Sequence, residues 1–113
     1  IASWYNYALK DVQDIVLPHV HPDATHVYHV YVIRTKSRYE LQKHLGNKGI
    51  GTLIHYPIPL HLQKAYQYLH KKRGDYPIAE EIADTCLSLP LWPGIQKNEV
   101  EYISEAIRLF FNK

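Results

Sequence analysis

The chain has 113 residues, 46% hydrophobic and 21% charged, which suits one domain with a single core and excludes a disordered chain. Its net charge of +2 is small and scattered, which argues against nucleic acid as a partner. No run approaches the ~18 apolar residues of a membrane span, and no segment has the pattern of a signal peptide.

The chain opens on isoleucine inside an apolar pattern that repeats at helical spacing. Residues 2–12 predict a helix in which Trp4, Leu9 and Val12 share a stripe. Because a natural start would carry an initiator methionine, we expect residues 1–113 to be a single domain excised from a longer protein.

The clearest strand is predicted at residues 26–34 (HVYHVYVIR), where both faces are largely apolar. That pattern is typical of a strand covered on both sides or central in its sheet. His26 and His29 are then expected to be buried or half-buried and bonded to neighbours. Arg34, at the end of the strand, could meet an anionic substrate group in a cleft, but a solvated side chain is the expectation.

Histidine is abundant, with eight residues, but no group of them has the spacing of metal ligands. His26 and His29 would point to opposite faces of a strand, so they cannot chelate one ion. His19 and His21 could share a face but lack a third ligand. We therefore predict no metal site.

The middle of the chain begins with Ser37 and Glu40, whose spacing predicts a capping box at the start of a helix. Leu41 and Leu45 give that helix an apolar face, and Gly49 can supply a left-handed residue at its end.

A rigid loop is predicted next, because Tyr56-Pro57-Ile58-Pro59 holds two prolines that fit neither a helix interior nor a central strand. The loop follows a short extended run at 50–55 and precedes a short helix expected at 60–70.

The following helix is predicted to be capped by Asp75, with Pro77 in its first turn and Ile78 and Ile82 facing the core. Cys86 is expected on the same apolar stripe as a core residue. As the only cysteine it cannot form an internal disulfide, and a reducing cytoplasm is the expected location.

The chain is predicted to end with an extended run at 87–91, a turn at 92–94 and a helix from about Asn98. That last helix has an apolar stripe of Val100, Ile103, Ile107 and Phe110. The order of elements predicts an α+β fold, with a small antiparallel or mixed sheet and helices packed mainly on one face. Trp4 and Trp92 are interpreted as core or domain-interface anchors.

Three stretches, in their order and spacing, carry a resemblance that covers essentially the whole chain. They are residues 26–34, 48–63 (KGIGTLIHYPIPLHLQ) and 88–93 (SLPLWP), the last preceded by a helix containing Ala79, Glu80 and Ala83. Together they resemble the C-terminal small domain of the DegT/StrS family of pyridoxal-phosphate-dependent nucleotide-sugar aminotransferases, and the middle stretch is the most specific.

The resemblance implies the small domain of a fold type I aminotransferase that works as a homodimer. Such an enzyme moves an amino group from glutamate to a nucleotide-linked keto-sugar, and the YPIPLHLQ run points to a dTDP-3-keto-6-deoxyhexose. Pyridoxal phosphate would be bound by a large domain that residues 1–113 do not include. This chain alone is therefore expected to hold no cofactor-binding or catalytic residue and to be inactive.

The resemblance also implies that His55 and Tyr56 face the active-site cleft and help to hold the nucleotide-sugar. Pro57 and Pro59 would fix the loop that follows them. The residues alone leave an alternative open, in which Tyr56 packs under the loop and His55 bonds a backbone carbonyl.

A competing hypothesis is a free-standing α+β regulatory module that binds a ligand or partner through exposed tyrosine and histidine side chains. It would account for the ten tyrosines and eight histidines. The enzyme hypothesis instead requires a large upstream domain, and it predicts an exposed apolar patch that includes Trp4 or Trp92.

Overall fold

The computed structural model describes residues 1–112, in which four α-helices and a two-stranded antiparallel sheet are present. The elements are α1 (Ala2–Leu9), β1 (Tyr31–Arg34), α2 (Arg38–Gly46), α3 (Pro77–Thr85), β2 (Cys86–Leu89) and α4 (Lys97–Phe111). The segment predicted as a helix at 60–70 forms two 3-10 turns instead, at Leu60–Leu62 and Lys64–Leu69. The predicted α+β fold is confirmed. None of the helices within residues 1–112 is long and apolar enough to cross a bilayer.

The strand predicted at 26–34 is too long at its start. β1 begins only at Tyr31, which pairs with Leu89 of β2. One step further along this antiparallel register, Val30 would face Pro90. A proline has no N–H to donate, so the ladder of hydrogen bonds ends there.

Residues 26–30 are also not covered on both sides, and the expected burial of His26 and His29 is wrong. Both side chains are exposed. Tyr28 adopts a left-handed φ of 50°, and its amide donates to Nδ1 of His26 at 2.8 Å. This local turn replaces the extended backbone that the apolar pattern predicted.

Single bridges extend the sheet on each side. Val16 pairs with Arg34 of β1, and Leu53 pairs with Ser88 of β2. The extended run predicted at 50–55 is thus reduced to one paired residue. β1 and β2 are nevertheless both flanked by chain, so the pair is not left with two open edges at these positions.

The core joins α1, α2, α4 and one face of the sheet, and Ile33 and Leu87 are among its fully buried members. The predicted stripe of α4 is confirmed for its three buried residues, Val100, Ile103 and Ile107, while Phe110 is half-buried. Cys86 is buried as predicted, but it lies in β2 rather than on a helix. α4 lies against both α1 and α2, which places its apolar stripe at the centre of the core.

The buried side of α1 differs from the predicted stripe, because Tyr5 rather than Trp4 enters the core with Leu9. The Tyr5 hydroxyl donates to the carbonyl of Pro90 at 2.8 Å, and its ring stacks on Tyr31 at 4.8 Å between centroids. Such hydrogen bonds allow a phenol to be buried without an unsatisfied polar group.

The stability of the fold is expected to fall in alkaline solution because of this tyrosine pair. Burial raises the pKa of both Tyr5 and Tyr31 above the ordinary value of 10.0, and a neighbouring phenol, Tyr31 for Tyr5 and Tyr28 for Tyr31, raises it further. The folded chain then keeps protons that the unfolded chain releases. The contribution of the two tyrosines to stability is therefore fully present below pH 10 and is lost as the pH rises further.

Unfolding in urea between pH 8 and pH 11 would measure this loss of stability. It should shrink in a variant with Tyr5→Phe and Tyr31→Phe but not with Tyr7→Phe, because Tyr7 is exposed. Identical pH profiles in all three proteins would contradict the assignment.

The two ends predicted for α2 have different outcomes. The capping box at Ser37 is wrong, because the Ser37 side chain caps nothing and its own amide donates to Oγ1 of Thr35 at 3.2 Å. The end at Gly49 is confirmed, with a φ of 74°. The amide of Ile50 reaches back to the carbonyl of Leu45 at 3.0 Å, which completes a Schellman motif.

α3 presents the opposite side to the one predicted. Ile78 and Ile82 are 73% and 41% exposed, whereas Glu80 and Ala83 are buried. Pro77 occupies the first turn as predicted, but the predicted cap at Asp75 is wrong, because the N-cap position is Tyr76 and no side chain caps the helix. The carboxylate of Glu80 decides this orientation, because it is buried where it accepts hydrogen bonds from the amides of Gly74 and Tyr76 and contacts His61.

Candidate functional site

The candidate site begins where the chain crosses β2. Leu53 and Ser88 exchange two backbone hydrogen bonds, at 3.2 and 2.7 Å, which fix the backbone two residues before His55. Nδ1 of His55 then lies 2.8 Å from the hydroxyl of Ser88. Ser88 is itself buried, so it holds the imidazole in one orientation.

The other ring nitrogen of His55, Nε2, has no hydrogen-bond partner within residues 1–112. The ring lines a shallow cleft of about 200 Å³, together with Ser88, Pro90 and Leu91 among others. An imidazole fixed at one nitrogen and free at the other can donate to, or accept from, a ligand in that cleft. His55 therefore does not bond a backbone carbonyl, which was the alternative that the sequence left open.

Tyr56 lies beside it and is 72% exposed, so it does not pack under the loop. Its ring meets the ring of His55 edge-on, with centroids 5.4 Å apart. The exposed phenol can offer a ligand both a flat face and a hydroxyl group. The structure thus brings the two predicted site residues together on one surface.

Tyr56 also borders an apolar groove of about 470 Å³ between the loop and α3. Its lining includes Ile58, Leu60 and Ile82. The two isoleucines and the leucine are exposed, although large apolar side chains are usually buried. The groove is continuous with the side of α3 that the sequence placed in the core.

His61, which lines this groove, belongs to a buried pair that the sequence did not predict. Nε2 of His61 lies 2.9 Å from a carboxylate oxygen of Glu80, and the two residues are only 9% and 6% exposed. The ring of His61 also meets Tyr76 edge-on, at 4.9 Å. His61 lies in one of the stretches that carry the family resemblance, and Glu80 lies in the helix that precedes another. Their separation of 19 residues along the chain does not predict that they are in contact.

The carboxylate of Glu80 also accepts hydrogen bonds from backbone amides at the start of α3. The amide of Gly74 donates to it at 2.8 and 2.9 Å, and the amide of Tyr76 donates at 3.3 Å. Burial by itself would raise the pKa of Glu80, but hydrogen bonds from Gly74, His61 and Tyr76 outweigh it and lower the pKa. The carboxylate is therefore held in its charged form.

Arg34, expected to be solvated, is half-buried and forms an ion pair with Glu81 at 3.3 Å. The two side chains line a separate cleft of about 320 Å³ that includes Asp14 but neither predicted site residue. Arg34 is thus neutralised by a carboxylate within the chain and lies outside the His55 cleft.

Exposed large apolar side chains are most frequent in segment 56–82, where five of them line the groove, and not at the tryptophans. Trp92 is exposed but lies outside the groove, and Trp4 is half-buried against the core. The largest concentration lies between residues 56 and 82, and consists of Tyr56, Ile58, Leu60, Tyr68, Leu69, Tyr76, Ile78 and Ile82. A surface of this kind marks a contact region.

Pyridoxal phosphate does not fit residues 1–112. A Schiff base needs a lysine inside an enclosed site, yet every lysine within residues 1–112 is exposed. None of these lysines lines the His55 cleft or the apolar groove. The described residues also contain no group of three potential metal ligands.

A sequence model described as the DegT/DnrJ/EryC1/StrS aminotransferase family matches residues 1–108. The chain is 41% identical to a dTDP-3-amino-3,6-dideoxy-alpha-D-galactopyranose transaminase of Aneurinibacillus thermoaerophilus, over 97% of the chain and 30% of the relative. It is 40% identical to the erythromycin biosynthesis sensory transduction protein EryC1 of Saccharopolyspora erythraea, over 96% of the chain and 30% of the relative.

A solved structure shares the fold closely. The S. venezuelae protein DesV, crystallised in complex with a ketimine intermediate, superposes with a TM-score of 0.95 at 37% identity. The match covers 99% of this chain and 30% of DesV. The chain thus spans about 30% of the length of the relatives that it matches.

Proposed function

Because the chain belongs to the DegT/DnrJ/EryC1/StrS aminotransferase family, we propose that it is the small domain of a longer pyridoxal-phosphate-dependent sugar aminotransferase. That enzyme transfers an amino group from glutamate to a nucleotide-linked keto-sugar and works as a homodimer. The substrate we propose is a dTDP-3-keto-6-deoxyhexose, in keeping with the name of the relative from Aneurinibacillus.

The cofactor belongs to the large domain in this proposal, because no lysine described here fits it. When bound there, pyridoxal phosphate supplies the electron sink for amino transfer. The residues of this chain have a different task, which is to bind and orient the sugar.

One observation carries this role: Ser88 fixes the imidazole of His55 through Nδ1, while Nε2 is left free at the cleft. A fixed imidazole hydrogen-bonds a sugar hydroxyl or a phosphate oxygen without losing rotamer freedom on binding. Tyr56 supplies an exposed aromatic face next to it. His55 is thus proposed to bind substrate and not to transfer a proton.

Replacing His55 with alanine in the full-length enzyme should raise KM for the nucleotide-sugar by about 5- to 150-fold, the equivalent of about 1–3 kcal/mol of hydrogen bonding. The glutamate half-reaction should keep its rate, because it precedes sugar binding in a ping-pong cycle. Single-turnover measurements of the two half-reactions would separate the effects.

The matched control is His19→Ala, since His19 is exposed and lines neither the cleft nor the groove. This variant should retain the KM of the parent enzyme. A large loss of rate in the glutamate half-reaction of His55→Ala, with normal sugar binding, would show that the role has been assigned wrongly.

A further inference from the structure

On its N-terminal side, the loop that carries Tyr56 is fixed to β2 by the Leu53–Ser88 bridge and by the contact of His55 with Ser88. After Tyr56 the backbone turns through two 3-10 segments whose hydrogen bonds are local, such as the amide of Leu62 to the carbonyl of Pro59 at 2.9 Å. Local bonds shape a loop but do not fix its position on the domain.

Besides the apolar groove that they line together, residues 57–73 and α3 are joined by two hydrogen-bonded side-chain pairs among the described residues. One is Arg73 with Asp84 at 3.0 Å, but these side chains are 63% and 49% exposed, and such surface pairs contribute little. The other is the buried contact of His61 with Glu80. Burial makes this second contact the effective anchor, because a buried carboxylate that loses its partner is costly.

The anchor acts on Tyr56 through a short and stiff connection. Only four residues separate Tyr56 from His61, and two of them are Pro57 and Pro59, whose φ angles are fixed by their rings. Few soft dihedral angles remain between the anchored imidazole and the exposed phenol. A shift of His61 is therefore transmitted to the position of Tyr56.

We propose that His61 and Glu80 are positioning residues that lock the loop against α3 and so hold Tyr56 where it contacts the nucleotide-sugar. The inference rests on the proposed function of the site. His61 itself faces Glu80 and Tyr76 within the domain, so it acts through Tyr56 and does not touch the reacting atoms.

The test uses the full-length enzyme with a nucleotide-linked keto-sugar and glutamate as substrates. His61→Ala should raise KM for the sugar by about 3- to 10-fold, because only part of the free energy of the lost hydrogen bond is transmitted to the position of Tyr56. The glutamate half-reaction should stay within about twofold of the parent. His61→Gln, whose amide can reach the same oxygen of Glu80, should restore most of the affinity. Arg73→Ala, which removes the exposed contact, should leave KM unchanged.

A double substitution separates positioning from general stabilisation. In a Tyr56→Ala background, adding His61→Ala should raise KM no further, because the two residues act through one contact. Additive effects, or a lower melting temperature with unchanged KM in His61→Ala, would overturn the inference. Should His61→Ala fail to fold, Glu80→Gln is measured in its place, and an unchanged KM again overturns it.

The same measurements distinguish this inference from the proposed function. If the parent enzyme uses no nucleotide-sugar, the proposed function fails and the inference fails with it. If the parent is active and His55→Ala raises KM while His61→Ala does not, only the positioning role is wrong.

Discussion

The 113-residue chain alone, mixed with pyridoxal phosphate, is expected to give no yellow species that survives desalting and to catalyse no amino transfer. The reason is that each lysine within residues 1–112 projects into solvent and none lines a cavity near His55. An exposed lysine can react only weakly and reversibly, since no cradle of donors holds the phosphate of the cofactor.

The measurement is the absorbance spectrum before and after desalting, followed by borohydride reduction and mass spectrometry of lysine-containing peptides. The full-length enzyme is the positive control and should show one labelled lysine per chain outside residues 1–113. Circular dichroism would establish that the isolated chain is folded during the experiment. Stoichiometric labelling of one lysine within this chain would contradict the proposed division of labour between domains.

This experiment also bears on the competing hypothesis of a free-standing ligand- or partner-binding module. The free-standing module remains a hypothesis based on the sequence alone. It requires the 113 residues to act without an upstream domain. If nucleotide-sugar binding and amino transfer are recovered only when the upstream domain is present, the enzyme hypothesis is favoured.

Replacing Ile107 with alanine is expected to lower the free energy of unfolding by about 2–5 kcal/mol. Ile107 is fully buried on α4, in the core cluster that also contains Leu9 and Leu45. The substitution removes three buried carbon atoms and leaves a cavity, because close-packed neighbours fill the space only in part. Urea unfolding followed by circular dichroism measures the change.

Leu109→Ala is the matched control, because it lies on the same helix and is 52% exposed. Its effect should stay within about 0.5 kcal/mol, as is usual for surface positions. Equal losses in the two variants would mean that the stripe of α4 does not face the core.

Several features could be predicted from the sequence because they depend on nearby residues. The stripe of Val100, Ile103 and Ile107 follows from the 3.6-residue period of one helix. The left-handed residue at Gly49 follows from the freedom of glycine at a helix end. The pair His55-Tyr56 was found through its resemblance to a family motif, and its role in binding stays a prediction.

Other features depended on contacts between distant residues, and the local pattern gave the wrong result for them. The strand from residue 26 is cut short because its register meets Pro90, about sixty positions along the chain. Ile78 and Ile82 have the spacing of a core stripe, yet both side chains are exposed and the opposite side of α3 is buried.

The tertiary structure alone decided which side of α3 faces the core. Glu80 is buried because its carboxylate satisfies His61 and two backbone amides at one point, and a charged group can be buried only where such partners meet. The orientation of His55 has the same origin, since its partner Ser88 lies 33 residues away. Periodicity records which side chains are apolar, but it does not record which polar atoms the folded chain brings within 3 Å of each other.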